Sequence, residues 1–360
     1  MNKPTLLFIA FITVACVTLA APHTPAQTLL KRLWKLQKRG LMIGHQDDPV
    51  YGRSWKWDEG SSDIKDVCGD YPAVMGFDLG KIEYNADKNL DGVPFERMRK
   101  EIVAQHERGG IVTLSWHPDN PITGKTAWDA SPQTVKGVLS GGVQHAKLNS
   151  WLQYVAGFIN SLKTPSGKKV PIIFRPWHEM NGSWFWWGSK SCTPEEFQQL
   201  YRYTFEQLTN KYLCNNIVWA YSPNFQANDN EEQYLKYYPG DTFVDLMGID
   251  IYDFEHRNDT YQTNLQNELE LLTRIATDKN KLAALTETGA QQLPDARWFT
   301  QVFWQIAQNY TLCYVLFWRN AWDAEKEMYM TAPGHATETD FKAFYNEKRT
   351  LFLNDIRKIR

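Results

Sequence analysis

Eight short apolar runs, most of them followed by a helical stretch, predict a single (β/α)8 TIM barrel with elaborated βα loops. Two further observations point the same way. No Pro/Ser linker, low-complexity tract or short-period repeat divides the 360 residues, a length that suits one large domain. No Gly-x-Gly-x-x-Gly stands after the first strand, which disfavours the alternative reading of the alternation, a doubly wound open sheet.

Taken in order, the chain opens on Lys3 and the apolar run Leu6 to Ala21, the basic start and short hydrophobic core of a secretory signal. Thr24-Pro25-Ala26 offers a small-residue cleavage site, so residues 1–26 are read as signal and 27–360 as the folded domain. The expected location is periplasmic or secreted; Cys16, in Thr-Val-Ala-Cys, gives the alternative of a lipid anchor. Export permits disulfides among Cys68, Cys192, Cys214 and Cys313, whose spacings match no zinc pattern.

A first helix is expected over Thr28 to Arg39, stopped by Gly40. The eight strands are expected at Leu41 to Gly44, Ala73 to Leu79, Ile111 to Trp116, Pro171 to Phe174, Asn216 to Tyr221, Val244 to Ile251, Leu282 to Thr286 and Cys313 to Trp318. Helices are expected at Phe95 to Glu107, Lys147 to Leu162, Pro194 to Leu208, Thr263 to Ala276, Ala296 to Ala307 and Glu338 to Leu353.

Polar residues crowd the strand ends: His45 to Asp48, Asp78, His117, then Arg175 with His178 and Glu179, Ser222 with Asn224, Asp250 with Tyr252 and Asp253, Glu287, and Arg319 with Asn320. In a barrel all these ends meet at one mouth, where such folds carry their chemistry. The net charge of -2 gives no footprint for nucleic acid or an anionic membrane, and the chain is read as a monomer. Its 15 Trp, 17 Tyr and 18 Phe exceed what a core needs, and indole faces suit the apolar C–H faces of sugar rings.

The richest stretch is residues 171–188, a buried-type strand that ends in Arg175, His178 and Glu179 and opens into Trp184, Phe185, Trp186 and Trp187. Arg, His and Glu within five residues are costly to bury without a purpose. Breaking a glycosidic bond needs a proton on the leaving oxygen and a partner for the oxocarbenium-like carbon, which two carboxyl groups supply. Glu179 and Glu287 are the best pair among the strand-end acids, and Gly289 is expected to let the chain turn just past Glu287. No metal and no cofactor are expected, since His117 and His178 lack a third ligand at recognisable spacing.

The stretch Arg175-Pro176-Trp177-His178-Glu179-Met180-Asn181-Gly182-x-Trp184-x-Trp186-Trp187-Gly188 resembles the signature of family 26 glycoside hydrolases, most of them β-mannanases. The resemblance extends through Ser115 to Pro118, Gly248 to Tyr252, Thr286 to Gly289 and Phe317 to Asn320, in family order over essentially the whole mature chain. It implies a retaining double displacement on mannan polysaccharide or manno-oligosaccharide, endo-acting or releasing mannobiose, with Glu179 as general acid/base and Glu287 as nucleophile. By the same resemblance Tyr252 and Arg175 support the nucleophile, and His178 binds a sugar hydroxyl. Trp318 floors the subsite of the sugar under attack, Trp184 stacks on the leaving-group side, and His117, Asp250 and Arg319 contact sugars on the nonreducing side. A mixed-linkage β-glucanase or xylanase with the same catalytic pair is the alternative enzyme; a carbohydrate-binding barrel is the alternative without catalysis.

Overall fold

Hydrogen bonding runs without a break around eight parallel strands in the computed structural model, which describes residues 23–359. The strands are β1 (Leu41–Gln46), β2 (Val74–Asp78), β3 (Ile111–Trp116), β4 (Ile172–Pro176), β5 (Ile217–Tyr221), β6 (Leu246–Asp253), β7 (Leu282–Ala290) and β8 (Tyr314–Phe317). Each pairs with its sequence neighbours, and β8 returns to β1 through Met42↔Tyr314 to His45↔Phe317, closing the barrel. Both faces of every strand are covered, which is why the strands read as continuous apolar runs.

Side chains alternate between the barrel interior and the surrounding helix layer. Met42, Val74, Ile173, Val218, Leu246, Leu282 and Tyr314 form the inner cluster, and Leu29, Leu33 and Leu36 of the first helix (Pro25–Leu36) pack into it from the N-terminal end. Ile43, Met75, Val112, Phe174, Trp219, Ile249, Leu285 and Phe317 belong to the outer cluster. Every second residue above the inner apolar layer is therefore also inward. Counting up from Ile173 gives Arg175, from Ala220 gives Ser222, and from Leu246 gives Gly248, Asp250 and Tyr252.

Several expected boundaries move. The first helix starts at Pro25, where Thr24 and Gln27 form a reciprocal capping box, so the 26/27 boundary falls inside its first turn. Residues 1–22, which hold Cys16 and most of the expected signal, lie outside the described residues. The expected helix Glu338 to Leu353 is instead three pieces: a helix at Glu338–Tyr345, a two-residue strand Thr350–Leu351 beside β1, and a short helix at Leu353–Ile356. Thr350 explains the break, because its hydroxyl donates to the Phe344 and Glu347 carbonyls while its backbone joins the sheet. Ala296 to Ala307 is mostly a wide-turn helix, Trp298–Trp304, followed by Gln305–Ala307. Cys68, Cys192, Cys214 and Cys313 are free thiols.

Candidate active site

β4 delivers its polar end through two residues in the left-handed backbone region, Trp177 (φ 55°) and Glu179 (φ 54°). Such conformations cost on the order of 1–3 kcal/mol each and persist only where the surroundings fix them. Here the fully buried Trp177 donates its indole N–H to Thr204 Oγ1 at 3.0 Å. The Glu179 amide donates to the Ser222 carbonyl at 2.7 Å. Asn181 and Asn224 exchange hydrogen bonds of 2.6 and 2.8 Å, clamping the β4 loop to the end of β5.

β7 solves a different problem. Between Leu285 and Glu287 its pairing with β6 slips by one residue, from Ile249↔Leu285 to Asp250↔Glu287, and its pairing with β8 slips at the same place. Thr286 is inward by parity, and Glu287 would be outward in a regular strand. The bulge brings both to the mouth: Thr286 Oγ1 donates to Asp250 Oδ1 at 2.6 Å while Glu287 reaches Arg175. The expected sharp turn at Gly289 does not occur, since β7 runs on to Ala290. Glycine is required there for close approach, because a Cβ would lie 2.9 Å from the Tyr329 side chain.

The two glutamates meet. One oxygen each of Glu179, Asp250 and Glu287 lie within 4.8 Å of one another. Arg175, itself 1% exposed, divides its guanidinium between Glu287 Oε1 and Asp250 Oδ2, the latter at 2.8 Å. Tyr252 donates to Glu287 Oε2 at 2.6 Å, a hydroxyl that burial first, and then the Glu287 charge, hold well above the ordinary phenol range. Burial pushes the Asp250 carboxyl up to about 7 against the pull of Arg175. Glu179 receives a 2.8 Å hydrogen bond from the Trp184 indole. Burial, then the neighbouring Asp250 and Glu287 carboxylates, raise its carboxyl well above the usual range.

Above this pair lies a cleft of about 470 Å³ whose lining includes His117, His178, Trp184, Tyr252 and Trp318. Two lining residues, Phe254 and Tyr329, were not singled out by the sequence; the lining also includes Phe185 from the aromatic run after Glu179 and Trp128, which stacks on His117 at 5.5 Å and 6°. One expected sugar contact sits elsewhere. Asp250 is fully buried beneath Arg175, with both oxygens occupied by Arg175, Ser222 and Thr286, so it supports the site from below and no sugar reaches it. Arg319, at the end of β8, is held by Asp91 and Glu327. His45 to Asp48 are buried, and Asp48 accepts from the Ile64 amide at 3.4 Å.

Replacing Arg175 with methionine should leave Asp250 and Glu287 without their shared cation and lower stability by roughly 3–5 kcal/mol at neutral pH. Urea unfolding would check this. The deficit should shrink as pH falls through about 7, where Asp250 takes up its proton.

A closed parallel barrel that brings two carboxyl groups together at the C-terminal mouth, under an aromatic-lined cleft, is the architecture of a glycoside hydrolase. A model of glycosyl hydrolase family 26 matches residues 18–350, and the chain belongs to that family. A mannan endo-1,4-beta-mannosidase of Bifidobacterium adolescentis is 32% identical over 94% of this chain and 36% of its own length. One of Bacillus subtilis strain 168 is 29% identical over 72% of this chain and 70% of its own. A GH26 beta-mannanase of Bacteroides ovatus superposes with a TM-score of 0.90 at 41% identity, covering 93% of this chain and 98% of that one. The chain thus spans little more than a third of the Bifidobacterium relative.

Proposed function

We propose that the protein is a retaining glycoside hydrolase that cleaves β-1,4-mannosidic linkages in mannans, with Glu287 as nucleophile and Glu179 as acid/base. The observation that carries the mechanism is the unequal treatment of two carboxyl groups less than 5 Å apart. Glu287 has a guanidinium on one oxygen and a phenol on the other. Glu179 has one indole and two negative neighbours. The first is kept ready to attack the anomeric carbon, and the second keeps a proton for the leaving oxygen. The short separation leaves no room for a water between Glu287 and the anomeric carbon, as inversion demands.

When the glycosyl-enzyme forms, the charge on Glu287 is lost, and with it one cause of the raised Glu179 carboxyl. Glu179, which has passed its proton to the leaving oxygen, can therefore stay ionised and take a proton from the incoming water. Trp318, which hangs its backbone N–H on the Thr288 carbonyl at 3.0 Å, floors the site, and Trp184 stacks on the leaving-group side. The names of the relatives support mannan as the polymer, and the basic start with the apolar run to Ala21 supports export. Incubation with galactomannan, glucomannan and barley β-glucan should release reducing sugar from the mannans first, as the β-anomer by proton NMR. Release from β-glucan alone would overturn the choice of sugar, and a first-formed α-anomer the mechanism.

A further inference from the structure

A chain of polar groups leads away from Glu287 to a residue that the reaction scheme above does not use. His178 Nε2 lies 4.0 Å from Glu287 Oε1 and 3.0 Å from His117 Nε2, and His117 Nδ1 lies 2.7 Å from Asp78 Oδ2. Asp78, at the end of β2, is 1% exposed. It also accepts from Ser115 Oγ at 2.7 Å, from the Gly80 amide at 2.7 Å and from the His117 amide at 3.3 Å. Gly80 is required for that approach, because a Cβ there would sit 2.9 Å from Asp78 Oδ1 and 2.2 Å from Leu90 Cδ2.

A carboxylate surrounded by donors only accepts, so His117 Nδ1 carries a hydrogen. Between the two facing Nε2 atoms there is room for one hydrogen, and it has one of two owners. If His117 is the imidazolium, it donates to His178, whose own hydrogen then sits on Nδ1. If His117 is neutral, His178 donates from Nε2, and its buried Nδ1, which has no hydrogen-bond partner, is left bare. The two states differ by one proton and by one positive charge on His117, which His178 separates from Glu287.

We propose that Asp78 is a positioning residue of the active site: through His117 it assigns the hydrogen between the two histidines and keeps a second cation, after Arg175, at the site, with His178 between it and Glu287. The inference rests on the catalytic roles given above. Charged and titratable groups face the histidine pair from several strand ends: Asp78 from β2, Asp91 from the loop after it, Arg175 and Glu179 from the β4 end, and Glu287 from β7. Their balance agrees with the geometry. Burial works against a charged His117, but the Asp78 charge and hydrogen bond, with help from Glu287, outweigh it and hold the ring above the ordinary histidine range. Burial, Arg175 and His117 together hold His178 well below it, so His178 stays neutral in both states.

The test is nitrogen-15 NMR of the whole protein labelled at histidine, read against pH. Below the His117 midpoint His178 should carry its hydrogen on Nδ1, and above it on Nε2. Asp78→Asn should lower the midpoint by about 1 unit or more; Ser115→Ala, which frees Asp78 Oδ2 from a competing donor, should raise it by less, which keeps the test decisive if the first variant fails to fold. In kinetics, an aryl β-mannobioside with a dinitrophenolate leaving group needs no acid in the first step, so the alkaline limb of kcat/KM should report His117 and move with the same variants. A His178 hydrogen that keeps its place across the titration, or a midpoint that neither variant moves, would overturn the proposal. The NMR readout needs no turnover, so it stands apart from a failure to hydrolyse mannan.

Discussion

Glu287→Ala should abolish hydrolysis of mannan, with a loss on the order of 10⁴-fold or more in kcat. The reason is specific to the geometry. Arg175 and Tyr252 converge on the two Glu287 oxygens, and neither can attack an anomeric carbon in its place. The wild type should accumulate a glycosyl-enzyme with a 2-fluoro mannosyl substrate, seen as a mass increase on the peptide that contains Glu287; the variant should show none. Loss of the Glu287 charge should also let the Glu179 carboxyl fall towards the ordinary range, since that charge is one of the causes that raise it. A variant that still formed the adduct would remove Glu287 from the nucleophile's role.

Glu179→Ala should split by substrate. On mannan, whose leaving group needs a proton, kcat should fall by about 10²–10⁴-fold. On a dinitrophenyl glycoside the first step should proceed nearly as before, and the slow second step should leave the glycosyl-enzyme to accumulate, giving a burst of dinitrophenolate. The pH profile supplies the sign. Glu179 must be protonated in the first step and its carboxyl is raised, so wild-type mannan hydrolysis should decline as pH rises through that raised value. In the variant that dependence should be gone. A carbohydrate-binding barrel without catalysis would lose nothing in either experiment, and equal losses on both substrates would count against the acid role.

Much of this was legible before any coordinates. The strand runs were found because a parallel barrel buries both strand faces, and the inward set follows by counting in twos from Ile173, Ala220 or Leu246 up to Arg175, Ser222, Asp250 and Tyr252. Counting fails at Glu287, where the bulge in β7 adds a residue, and its place as an acid at a strand end, together with the family resemblance, pointed to that glutamate. It fails again after Tyr345, where a helical pattern of apolar residues gives way to a strand that exists only because β1 has a free edge position to pair with Thr350 and Leu351.

The residue types at the strand ends thus determined the fold class, the mouth and the two carboxyl groups, since those follow from local pattern and from the chemistry each side chain carries. That Glu179 and Glu287 receive different partners, that Asp250 lies under the site and not in it, and that Asp78 connects to the Glu287 side through two histidines follow from tertiary structure. Ionisation and hydrogen ownership depend on distances of 3 to 5 Å between segments far apart in sequence, and on how much water each group has lost, which no single stretch of chain encodes.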